Sequence, residues 1–252
     1  MTHAIANYAH FEQPLLKWSL MLLAVAGLVG VVLHPRSPNS APIPVMAEQA
    51  VIMPDGHALY VQKFEVTVAE WNACHAQGAC SQALRAKGSH AEAEMPATGL
   101  SYVDVGEYLA WINDATGVAF RLPTMAEWEH MAAEVLPHEP DPVFTDPELS
   151  WAAAYLMEPQ TKRTLRPQGS FKTTSQGIVD LNGSVWEWTQ DCYAGASEGQ
   201  VTQDRCPAFF VGGEHIAAIP YLVRDPARGG CAVGSPPAHL GMRLVSDRAV
   251  RS

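Results

Sequence analysis

The sequence predicts an irregular α+β domain carried behind an N-terminal transmembrane helix. A tight strand pair around Pro54-Asp-Gly56 opens the domain, and three hydroxyl-and-acid pairs mark helix starts between residues 67 and 127. After residue 135, glycine and proline break nearly every periodic stretch, so regular helix is expected to be the minority. The 48% apolar content, with seven tryptophans, is enough for a sizeable core.

Residues 1–14 read as a short tail. Trp18 to Leu33 is a nearly continuous apolar run of about sixteen residues, just short of the roughly 17 to 25 of a spanning helix. Leu15 and Leu16 extend it, which places an anchor at 15–33. A cleaved signal peptide is the competing reading, but the first tolerable cleavage site, Val45-Met-Ala47, lies far downstream of the run. Lys17 and Arg36 flank the run with equal charge and do not orient it. Residues 34–50, with Pro35, Pro38, Pro42 and Pro44, read as a semi-rigid tether, and the globular domain is placed at 51–247.

Within that domain, Val51 to Met53 and Ala58 to Val66 read as strands joined by the Asp-Gly turn. Thr67 with Glu70, Ser101 with Asp104 and Thr124 with Glu127 have capping-box spacing: the hydroxyl accepts from an orphan amide while the acid reaches back to the cap's own N–H. The first helix is expected to run to about Gln77, with Gly78 ending it. The second, with Val105, Tyr108, Leu109 and Ile112 on one face, should end by Gly117, and the third should reach about Val135. Residues 137–170 hold no sustained period and read as a surface excursion returning at Trp151 to Leu156. Residues 194–220 read as a second irregular stretch, leading to a short strand at Tyr221 to Val223.

Charge and motifs exclude several function classes. Lys plus Arg is 16 against 26 for Asp plus Glu, with no basic run, so a nucleic-acid partner is not expected. There is no H-E-x-x-H, no G-x-S-x-G and no phosphate-binding glycine loop. The five cysteines fall at Cys74, Cys80, Cys192, Cys206 and Cys231. The first two and the next two are each close enough to close a loop as disulfides, and an anchor makes an oxidising compartment reasonable; buried reduced thiols are the alternative.

The densest stretch is Asp180-Leu-Asn-Gly-Ser-Val-Trp-Glu-Trp-Thr-Gln-Asp191. Strand alternation sends Val185 and Glu187 to one side and Trp186 and Trp188 to the other, so two aromatics can anchor a core while an acid points elsewhere. This block joins Glu65-Val-Thr67, Arg121-Leu-Pro-Thr-Met-Ala-Glu-Trp-Glu129, Arg228-Gly-Gly230 and Gly241-Met-Arg-Leu-Val245. In that order and spacing the set resembles the formylglycine-generating enzyme, or sulfatase-modifying factor, domain family over about residues 51 to 247. The resemblance implies an irregular α+β fold related to C-type lectins.

What the resemblance implies about activity is more restricted. Members that convert a substrate cysteine to formylglycine hold copper(I) on two cysteines five residues apart, after an R-G-G-S-aromatic motif. Here the corresponding positions fall on Gly234 and near His239, Cys231 takes the motif's serine position and Ala232 its aromatic, so copper is not expected. The Gly-Gly-Cys-Ala-Val-Gly ending is similar to accessory proteins encoded beside copper nitrite reductases. By position, the family's calcium site would be Asp180, Gly183, Val185 and Glu187, an all-oxygen set suited to a structural Ca²⁺. The alternative is that Asp180 and Glu187 cap turns or pair with Arg243 or Arg228. The resemblance also favours disulfides Cys74 with Cys80 and Cys192 with Cys206, as in exported members.

The expected function is a single-pass inner-membrane protein with its domain in the periplasm. It would act as an accessory or maturation factor for a protein partner, without oxidation of cysteine to formylglycine. The alternative is a periplasmic redox enzyme centred on Cys231, with His215 or His239 as candidate base.

Overall fold

A computed structural model describes residues 41, 43–136, 164–194, 205–226 and 237–250. The expected anchor at 15–33, the returning segment at 151–156 and Cys231 lie outside the described residues. Among the described residues no helix is long and apolar enough to cross a membrane.

The opening hairpin forms as expected. Strand β1 (Val51–Ile52) pairs antiparallel with β2 (Ala58–Val61), with Val51 opposite Leu59. Gly56 takes φ +89°, the left-handed conformation its turn requires. The second strand stops at Val61, not at Val66. Its neighbour in the chain still runs beside the C-terminal segment, Gln62 N–H donating to Leu244 O and Val66 N–H to Met242 O. Between these, the carbonyls of Gln62 and Lys63 turn away to the Arg243 guanidinium, so the regular ladder ends.

All three helices carry their capping boxes: α1 (Val68–Ala76) on Thr67 and Glu70, α2 (Tyr102–Thr116) on Ser101 and Asp104, α3 (Met125–Ala132) on Thr124 and Glu127. Gly117 closes α2 at φ +69°, as its position past the last periodic residue predicts. The third helix ends three residues early. Val135 and Leu136 instead fold back with their amides on Ala132 O, which keeps Val135 buried.

Strand β3 (Trp186–Tyr193) is the central element. It pairs antiparallel with β4 (Ala208–Gly212) and parallel with β6 (Leu240–Gly241), while β5 (Ala217–Pro220) covers the far side of β4. The other sheet has the order β1-β2-β7, with β7 at Val245–Ser246. Two expectations fail here. The stretch 194–220 is not wholly irregular, because Ala208-Phe-Phe-Val211 and Ala217 to Ile219 are apolar runs that bury in a sheet. The expected strand at 221–223 is a turn, with Val223 N–H on Pro220 O and Leu222 exposed.

Alternation along β3 divides the interior as the sequence predicts. Trp186 and Trp188 join the cluster built on Trp71, Tyr108 and Phe209, while Trp128, Ile178, Leu181 and Val245 form a second cluster. Glycines seat two of the rings: a Cβ on Gly212 would lie 2.2 Å from Trp128, and one on Gly213 would lie 2.4 Å from Trp186. Disulfides Cys74–Cys80 and Cys192–Cys206 close the two expected loops, with Cα separations of 5.4 and 5.7 Å.

Candidate functional site

The signature residues of three separated motifs meet at one buried point. Arg243 is fully buried, and Glu187 and Glu65 beside it are 1% and 3% exposed. A guanidinium has five N–H donors, and here each has an acceptor. Nε donates to Glu187 Oε1 at 3.0 Å. Nη1 donates to the carbonyls of Gln62 and Lys63 at 3.0 and 2.7 Å. Nη2 donates to Val179 O at 2.9 Å and Glu187 Oε1 at 2.7 Å. Trp128 Nε1 completes Glu187 from α3, donating to Oε2 at 2.9 Å.

Glu65 is left out of this accounting. Its Oε2 lies 3.7 Å from Arg243 Nη2, close enough for attraction but beyond a hydrogen bond, and it has no hydrogen-bond partner. Burial raises its pKa to about 8; Arg243 works against that rise, and Glu187 and Asp180 add to it. One guanidinium therefore faces more buried acid than it can bond.

Asp180 shows how the expected calcium set is used. Its φ of +67° is a left-handed turn conformation that Asp tolerates, with Gly183 N–H closing the turn on Asp180 O at 2.8 Å. The carboxylate accepts from the amides of Gly169 and Phe171, the latter at 2.7 Å. Burial raises its pKa, partly offset by those two amides and by Arg243. Val185 packs its side chain toward Gly241, where an added Cβ would lie 2.7 Å away. As placed, Asp180 caps a turn and Glu187 forms an ion pair with Arg243. A cation ligated by Glu187 would sit against the guanidinium that already holds that carboxylate, and charge repulsion would oppose it. No step below rests on calcium.

A second cluster was not legible as a site. Arg121 bonds Glu127 with two nitrogens at 2.7 Å each and reaches Asp247 at 2.5 Å. His57 stands beside them, with Nε2 3.7 Å from Glu127 Oε1 and Nδ1 2.6 Å from Asp55. His57, Glu127 and Asp247 have the donor types of a metal group, but Arg121 bridges both carboxylates. Burial works to raise the Glu127 pKa, yet the bonds from Arg121 and the Thr124 amide hold it below the usual carboxylate value. Asp191, the last acid of the dense block, accepts from Met125 N–H at 2.6 Å at the start of α3.

The structure fixes both stems of the altered ending. Before it, Arg224 bonds the buried carboxylate of Asp104 at 2.6 and 2.7 Å; after it, His239 O accepts from Trp186 N–H, and Leu240 pairs beside β3. His215 packs its ring edge-on to Trp186, with centroids 4.4 Å apart. Arg228, Cys231 and Gly234 lie outside the described residues.

A two-sheet α+β domain whose Glu65, Glu187 and Arg243 motifs converge in its core is the class these features define. Residues 44–248 match the sulfatase-modifying factor enzyme 1-like domain, and the chain belongs to that family. It is 24% identical over 188 residues to a formylglycine-generating enzyme of Mycobacterium tuberculosis, an alignment covering 60% of this chain and 57% of that protein. The chain thus spans less than two thirds of that relative's length. Among solved structures, PvdO from Pseudomonas aeruginosa is similar in fold, with a TM-score of 0.50 and 18% identity over 81% of this chain and 92% of that one. Treponema denticola variable protein 1 matches at a TM-score of 0.49 and 16% identity, covering 83% of this chain and 93% of that one.

Proposed function

We propose that this chain is a membrane-anchored, export-side family member that serves another protein as an accessory or maturation factor and does not oxidise cysteine to formylglycine. The observation that carries the reading is the state of the cysteines. Of five, four are held in the disulfides Cys74–Cys80 and Cys192–Cys206, so Cys231 has no second thiol with which to hold copper(I). The family's pair would fall on Gly234 and near His239, and neither position is a cysteine.

Two disulfides support an oxidising compartment, and the apolar run at 15–33 supports tethering of the domain at the periplasmic face of the inner membrane. The preserved interior then works as a scaffold, its charged signature residues spent on holding the chain together. The similarity of the ending to accessory proteins of copper nitrite reductases points to an exported metalloenzyme as the client.

The test is a cell lacking this chain, complemented with the wild type or with Cys231→Ser. Both are expected to restore client maturation equally, and the purified chain supplied with copper(I) and a cysteine-containing peptide is expected to form no aldehyde. Aldehyde formed with turnover, or failure of Cys231→Ser alone, would overturn the reading.

A further inference from the structure

Beside the start of α1 lies a cavity of about 260 Å³, with apolar walls from Val45, Phe64, Ala69 and Ala93. Val45 is itself 64% exposed. The polar groups of the wall are largely committed: Gln168 Nε2 donates to Ala93 O at 2.7 Å, Gln62 Oε1 accepts from Leu244 N–H at 3.2 Å, and Thr67 and Glu70 bond each other in the capping box. Glu65 Oε2 is sealed from solvent, 3.7 Å from Arg243, and takes no part. What the cavity offers an incoming group is therefore chiefly apolar surface.

The charge around those walls is acidic. Ala93 stands between Glu92 and Glu94, both exposed. Among the wall residues and their immediate neighbours in sequence the one base is Lys63, and its ammonium already lies 3.2 Å from the exposed Glu48. A second copy of this chain would bring the same acids, and its net charge of −10 opposes self-association, whereas a basic partner is complementary. Apolar walls inside an acidic rim suit an anchor residue of a protein partner, with the side chain in the pocket and a base beside it on the rim. We propose that this cavity receives one apolar side chain, of Leu to Phe size, from a segment of a partner protein in which Lys or Arg flanks that residue. This docking site rests on the reading of the chain as a factor for a protein client, and it does not involve Cys231.

The test is calorimetric titration of the purified full chain with three N-acetylated, C-amidated tripeptides, Lys-Leu-Lys, Lys-Ser-Lys and Glu-Leu-Glu, at matched ionic strength. Lys-Leu-Lys is expected to bind saturably and about tenfold or more tighter than either control, since one lacks the anchor and the other carries the wrong charge. Ala69→Leu, which fills the pocket, is expected to weaken that binding about tenfold. Glu94→Lys, which reverses a rim charge on a side chain 59% exposed, is expected to weaken it about threefold, and it decides the matter if Ala69→Leu fails to fold. In a cell lacking the chain, Ala69→Leu is expected to leave the client immature where the wild type matures it. The proposal is overturned if Lys-Leu-Lys does not bind, if either control binds as well, if the folded variants bind as the wild type does, or if folded Ala69→Leu restores maturation fully. A wild type that restores no maturation would instead overturn the client reading, and the titration would still decide the pocket.

Discussion

Arg243 and Arg121 each tie acids from distant parts of the chain, yet one guanidinium is sealed from water and the other is 26% exposed. Arg243 holds the segment after β2, the turn before β3 and β3 itself, and every donor is used. Arg121 holds the α3 cap and Asp247, whose side chain is 61% exposed, so water can replace part of what it supplies. Similar chemistry thus specifies the fold in one place and trims its edge in the other, because the cost of an unpaired charge depends on access to water.

The largest effect that can break this comparison is Arg243→Met. It strands Glu187 and Glu65 as buried acids, and a loss of about 3–5 kcal/mol is expected in denaturant unfolding, the range for breaking a buried pair. A loss under about 1 kcal/mol would contradict the ranking. Arg121→Met is expected to cost less, roughly 1.5–3 kcal/mol, since it removes charged hydrogen bonds to Glu127 that solvent only partly replaces.

Glu65→Gln sharpens the comparison through pH. With its pKa raised from 4.5 to about 8, the folded state keeps a proton that the unfolded chain has released between those values. The folded state binds more protons across this window, so stability falls as pH rises through it. Glu65→Gln should flatten that decline in melts from pH 5 to 8; an unchanged decline would place its origin elsewhere. The smallest expected effect is that of divalent cations. Because Asp180 and Glu187 are occupied by N–H donors, added Ca²⁺ or a chelator should leave the melting temperature of the wild type unchanged, and a Ca²⁺-dependent rise would restore the metal role first expected of them.

The capped helices were legible because each start is a local event: Thr67, Ser101 and Thr124 carry their acids three residues on, and the structure uses each pair as spaced. The alternation of Trp186, Glu187 and Trp188 was legible for the same reason. Strands β4 and β5 were missed because Gly212 and Gly213 read as loop, whereas they are flat seats for Trp128 and Trp186, a tertiary reason that no local pattern carries. The site divided along the same line. Motif order pointed to the family, but that Glu65, Glu187 and Arg243 share one interior depends on contacts spanning most of the domain. Nor did spacing reveal that the five donors of Arg243 run out before Glu65 is reached.

With Cys74, Cys80, Cys192 and Cys206 held in disulfides, only Cys231 is left to offer a thiol. Thiol counting under denaturing conditions without reductant, with copper analysis on the same purified full chain, tests it most directly. The account predicts one free thiol per chain and no stoichiometric copper; three or more free thiols, or one bound copper per chain, would contradict it.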